Sequence, residues 1–137
     1  MKKKILVIVA HPDDEVLGCG GSMAKWIKAG NDVQVLFMAE GLTSRDKERN
    51  RKNREKELSS LAKSAKKACK ILGIRSFKLL EYPDNRMDSM DLLDIVKTIE
   101  EFVKKVNPQV VITHHSGDFL CHSNYFGSNT IGSTSIS

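Results

Sequence analysis

The sequence predicts an α/β fold, a Rossmann-like parallel sheet of strand order 3-2-1-4 with helices on both faces. Three observations predict it. Apolar, β-branched runs alternate with longer amphipathic stretches in the order strand, helix, strand, helix, strand, helix, strand, the pattern of a parallel sheet covered on both faces. A glycine or asparagine stands at the end of each amphipathic stretch. The first apolar run, Ile5-Leu6-Val7-Ile8-Val9, stops at Ala10-His11-Pro12-Asp13-Asp14-Glu15, and open α/β sheets carry their chemistry at the C-terminal ends of strands.

Each element follows from local spacing. Lys4–Ala10 reads as a buried first strand. A helix is expected over about Asp14–Ala29, with Val16, Met23 and Ile27 facing inward and Gly30-Asn31 ending it. Asp32–Ala39 is the second strand, and a polar loop opened by Glu40-Gly41-Leu42-Thr43-Ser44 and dense in charge runs to about Asn53. From about Arg54, Leu58, Leu61, Ala62, Ala65, Cys69 and Leu72 lie at helical spacing, and Gly73 stops the helix. Ser76–Glu81 is a short third strand. The third helix begins at Met90 or Asp91, with Leu92, Leu93, Val96, Ile99, Phe102, Val103 and Val106 as its apolar face; Asn107-Pro108 terminates it before the fourth strand, Gln109–Thr113. With strand order 3-2-1-4 the winding reverses between the first and fourth strands, so His11 and His114 at their ends are expected to meet in the switch-point crevice.

Pro12 fixes its own φ and pushes His11 toward an extended conformation, so the chain turns sharply and His11 and Asp14 can converge. A simpler reading makes Asp13 or Asp14 the cap of the following helix, with Glu15 as a first-turn charge. Capping accounts for one acid, but not for His-Pro followed by three. Glu15 stays open between a supporting role at the site and a helix-terminal charge. Gly18, Gly20 and Gly21 do not have phosphate-loop spacing and follow the carboxylates, which points instead to close packing of helix on sheet.

The hexapeptide Ala10–Glu15, continued by Val16-Leu17-Gly18-Cys19-Gly20-Gly21, resembles the signature of the LmbE-like (PIG-L) family of zinc-dependent N-acetylglucosaminyl deacetylases. Tyr82-Pro83-Asp84-Asn85-Arg86 resembles the family's second block, and Val110–Asp118 the approach to its third. The resemblance covers roughly Lys2 to Asp118. It implies Zn²⁺ as cofactor, His11 and Asp14 as zinc ligands, Asp13 as the general base, and a sugar-hydroxyl contact for Asp84, for which a Pro-Asp-Asn turn is the plain alternative. It further implies hydrolytic deacetylation of an N-acetylated amino sugar or its conjugate, a small-molecule substrate. The third zinc ligand departs from the family pattern, because Gly117-Asp118 is followed by Phe119-Leu120-Cys121-His122, without the expected Asp and with the histidine one position early. His122 takes the ligand role by resemblance; His114 or His115 are the alternatives. An arginine that many relatives carry on the second helix has no counterpart, as Leu61 stands near its place.

At 137 residues the chain is expected to be one domain. Its 22 basic and 17 acidic residues give a net charge of +5, and eleven basic against four acidic residues fall between Ser44 and Lys70. No aromatic residues interleave with them as stacking platforms, so a solvated loop and helix face is favoured over a nucleic-acid surface. Three widely spaced cysteines suggest neither disulfides nor a paired-cysteine zinc site and fit reduced thiols in the cytoplasm; no segment is long enough to span a bilayer. Residues 1–118 are thus assigned to the deacetylase-like domain. Residues 119–137 carry no charge, are rich in Ser, Asn, Thr and Gly, and read as an irregular polar tail. The fold is therefore expected to be incomplete relative to the family, as from truncation or a shifted reading frame. An exposed edge of the fourth strand would then favour homo-oligomers. The rival to an enzyme is a catalytically inactive fragment that retains only metal or partner binding.

Overall fold

The computed structural model describes residues 2–39, 55–82, 90–114 and 134–136. Their elements run β1 (Lys4–Val9), α1 (Asp14–Lys28), β2 (Asp32–Ala39), α2 (Glu55–Leu72), β3 (Ser76–Tyr82), α3 (Leu92–Val106), β4 (Val110–His114) and β5 (Thr134–Ile136). All pairings are parallel, in the order β3-β2-β1-β4-β5. The predicted 3-2-1-4 order is present. One element is additional: Thr134–Ile136, within the stretch read as an irregular tail, pairs with Ile112–His114 and occupies the edge of β4 expected to be exposed. Three residues of Thr, Ser and Ile are too short for periodicity to reveal, and the pairing partner decides their conformation.

β1 and β2 lie inside the sheet, and alternation along each strand divides the core in two. Ile5, Val7, Val9, Val33, Val35 and Phe37 face α1 and α2, packing on Met23 and Cys69. Leu6, Ile8, Leu36 and Met38 face α3 and pack on Ile95. Being covered on both faces is why these strands read as continuous apolar runs. The helices end where the sequence marks them: Gly30 (φ 91°), Gly73 (φ 82°) and Asn107 (φ 51°) each take the left-handed conformation that closes a helix.

Two helix faces and two glycines differ from expectation. In α1 the backbone leaves helical geometry at Cys19 (φ −147°, ψ 21°), and the inward stripe is Glu15, Cys19, Gly20 and Met23, while Val16 is exposed. A glutamate has displaced the valine from the core. In α3 the inward stripe is Ile95, Ile99, Phe102 and Val106, spaced i, i+4, i+7, i+11. Leu92 and Leu93 stand exposed in its first turn, where the Asp91 carboxylate accepts the Leu93 N–H at 2.9 Å. A Cβ on Gly20 would meet only Val16 of the same helix, and one on Gly21 would meet nothing, so neither glycine marks a close approach of helix to sheet.

Ile95→Ala is expected to lower unfolding free energy by about 2–5 kcal/mol, and Leu92→Ala to change it by less than about 0.5 kcal/mol, as read by urea denaturation. The Cys19 and Cys69 thiols are pushed up to about 11, by burial first and by the nearby Glu15 second. At about pH 8 they therefore stay protonated as well as buried. Iodoacetamide should leave both unmodified in the folded protein and label both in urea, as peptide mass spectrometry would show.

Candidate functional site

The site forms where β1 outruns its ladder with β4. Registered pairs run from Ile5 with Val110 to Val7 with Ile112. Beyond them the backbone of Ala10, fully buried, finds other partners: its C=O accepts the Ala39 N–H at 2.8 Å, and its N–H donates to Nε2 of His114 at 3.0 Å. The predicted meeting of His11 and His114 is thus realised, with an imidazole replacing a backbone carbonyl at the switch point. Accepting that N–H makes Nε2 of His114 the unprotonated nitrogen. Pro12 is buried in the turn that follows, and α1 starts with the Val16 and Leu17 N–H groups both donating to the Asp13 C=O at 3.0 Å.

None of the described contacts of the three carboxylates makes an ordinary helix cap. Asp13 stands at the N-cap position without a side-chain cap hydrogen bond. Asp14 and Glu15 instead reach back along the chain: Oδ2 of Asp14 accepts the His11 N–H at 3.0 Å, and Oε2 of Glu15 accepts the Asp13 N–H at 2.9 Å. Asp14 Oδ2 also lies 3.4 Å from Nδ1 of His11 and 3.5 Å from Nε2 of His114. His11, Asp14 and His114 therefore converge on one oxygen. Asp13 has φ 111° and ψ −32°, a conformation that costs a non-glycine residue on the order of 1–3 kcal/mol and gathers at functional sites.

The protonation balance differs along the three acids. Burial, then the charge of Asp14, raises the Asp13 carboxyl above its ordinary value, while His11 pulls it down less strongly. Burial pushes Asp14 up, but the hydrogen bonds and charge of His11 outweigh it and leave Asp14 low. Burial raises Glu15. The arrangement keeps Asp14 ionised beside two imidazoles and leaves Asp13 the more proton-avid neighbour.

Two imidazoles and a carboxylate are ligand types that zinc takes, so the donors fit a zinc ion in kind. Among the described residues, no group of three or more His, Cys, Asp and Glu side chains is disposed to hold a metal. Nε2 of His114 is engaged by the Ala10 amide, and Oδ2 of Asp14 by the His11 amide. His122, His115 and Asp84 lie outside the described residues. Two features had no signal in the sequence. The amide contact of His114 depends on where a ladder stops, and the left-handed Asp13 has neither glycine nor asparagine to announce it.

Residues 6–125 match the PIG-L family, described as GlcNAc-PI de-N-acetylase. No curated protein sequence matches the chain. Among solved structures, an N,N'-diacetylchitobiose deacetylase from Pyrococcus horikoshii superposes with a TM-score of 0.69 at 24% identity, over 82% of this chain and 40% of that one. A 4-carboxy-2-hydroxymuconate hydratase from Pseudomonas putida gives 0.72 at 24% identity, over 92% and 52%. A teicoplanin deacetylase in a zinc-inhibited form gives 0.67 at 15% identity, over 82% and 56%. The chain spans about half the length of these structures and shares their fold. With the histidine–carboxylate turn at the end of β1 and a family match over most of its length, the chain belongs to the PIG-L family.

Proposed function

We propose that the protein is a metal-dependent N-deacetylase that hydrolyses the amide of an N-acetylated amino sugar or its conjugate. The observation that carries the reading is the convergence of His11, Asp14 and His114 within 3.5 Å of one carboxylate oxygen, directly beside Asp13. Family membership, with a diacetylchitobiose deacetylase among the structural neighbours, supports acetylated sugars as the substrate class. His11 and Asp14 are the proposed zinc ligands, with His122 as the third. Bound there, zinc supplies Lewis acidity, polarising a carbonyl oxygen and lowering the pKa of water to about 7. Asp13 accepts the proton of the attacking water and returns it to the nitrogen as the C–N bond breaks, leaving acetate and a free amine. Its raised affinity for protons suits that exchange. Asp14, held low by His11, stays an anion throughout. Asp84 contacts a sugar hydroxyl.

The protein acts on a small molecule in the cytoplasm, in keeping with two buried, unpaired cysteines; among the described residues no helix is long and apolar enough to cross a membrane. Self-association would use the outer edge of β5, since β5 covers the edge of β4. A second reading, a catalytically inactive chain that keeps metal or partner binding, draws on the altered third block around His122.

Zinc-loaded protein is expected to release primary amine from N-acetylglucosamine conjugates, detected with fluorescamine; bound zinc without any amine release would favour the second reading. His11→Ala and Asp14→Ala should each weaken zinc binding by more than about 100-fold in a competition titration, since losing even an outer partner of a ligand costs about 10- to 100-fold. Asp13→Asn should lower kcat by about 10²- to 10⁴-fold while zinc affinity stays near wild type. An unchanged kcat would remove Asp13 from the proton-transfer role.

A further inference from the structure

Glu15 is buried to 1% exposure in the first turn of α1, on the same stripe as Cys19 and Met23, where an apolar side chain would ordinarily pack. Burying a carboxyl is costly unless its oxygens find hydrogen bonds. The partner it finds is specific: Oε2 accepts the Asp13 N–H at 2.9 Å. Asp13 is itself the strained residue, at φ 111°, and carries no capping hydrogen bond to hold it there. A residue in that conformation persists only when its surroundings over-determine it. The helix contributes the Val16 and Leu17 N–H groups to the Asp13 C=O, which fixes one side of the residue. The other side is fixed by Glu15.

We propose that Glu15 is a positioning residue whose buried carboxyl clamps the Asp13 amide, holding Asp13 in the left-handed conformation that keeps its carboxylate off the helix terminus and beside His11 and Asp14. This rests on the proton-transfer role proposed above for Asp13. The contact of Glu15 is with the backbone, its Oε2 accepting the Asp13 N–H. It acts through one backbone N–H, so an uncharged acceptor of the same length performs the task equally well, whereas an apolar side chain of similar volume fills the core but leaves the amide without its partner.

The test compares Glu15→Gln with Glu15→Met in the full chain. Glu15→Gln is expected to keep kcat within about three-fold of wild type and to keep slow hydrogen exchange at the Asp13 amide. Glu15→Met is expected to lose that protection, to shift the Asp13 amide resonance, and to lower kcat by about 100-fold, the scale of a misplaced catalytic group. KM and zinc affinity should change by less than about three-fold. A Glu15→Met protein with wild-type Asp13 exchange and kcat overturns the proposal, and so does a Glu15→Gln protein as impaired as Glu15→Met. If Glu15→Met does not fold, Asp13→Gly added to it should restore folding, because glycine adopts this φ without strain; failure of that rescue also overturns the proposal. If wild-type protein releases no amine while Glu15→Met still loses Asp13 amide protection, the clamp stands and the deacetylase reading falls.

Discussion

The amide of Ala10 is the constraint on which the site depends. β1 is buried on both faces, so each of its N–H groups must find a protein partner. For as long as β4 runs beside it, backbone carbonyls serve. Past Val7 and Ile112 the registered pairing stops, and the Ala10 N–H goes to the imidazole of His114. That single substitution of side chain for backbone places one histidine from β4 against the turn that follows β1. It also sets Nε2 of His114 3.5 Å from Asp14, whose oxygen is already engaged by His11. A fold requirement and a chemical arrangement are met by the same atom.

How much of this was legible in the sequence follows from what each feature depends on. Strands and helices were readable because they rest on periodicity over five or more residues, and helix ends because Gly30, Gly73 and Asn107 adopt conformations few other residues accept. The meeting of His11 and His114 was readable from topology alone. The inward face of α1 was not, because a one-residue departure at Cys19 changes which side chains face the sheet and brings Glu15 inside in place of Val16. In α3, counting every apolar residue favoured Leu92 and Leu93 over Ile95, although only Ile95 falls on the stripe that continues through Ile99, Phe102 and Val106. β5 was unreadable for a different reason: a three-residue strand exists only through its partner.

The fold by itself does not select a reaction. A hydratase and two deacetylases superpose on this chain with TM-scores between 0.67 and 0.72, and all are at or below 24% identity. What separates addition of water to a carbon–carbon bond from hydrolysis of an amide is the pair of groups that handle protons and polarise the substrate. The choice of deacetylation therefore rests on the family match and on the turn after β1. The shared half of these structures supplies a place for chemistry; the side chains converging there determine which chemistry it is.

The three successive acids illustrate that division of labour within a single turn. Identical in kind, they differ in what faces them. Asp14 meets two imidazoles and a backbone amide, and remains an anion. Asp13 is held by its backbone, with its carboxyl raised by burial and by the charge next to it. Glu15 is turned wholly into the core, where its carboxyl accepts the Asp13 N–H. A helix cap would have used one of them and left the other two to solvent. Instead two of them accept amides from residues that precede them, and the middle of the turn, Asp13, is left strained and exposed at the edge of the sheet.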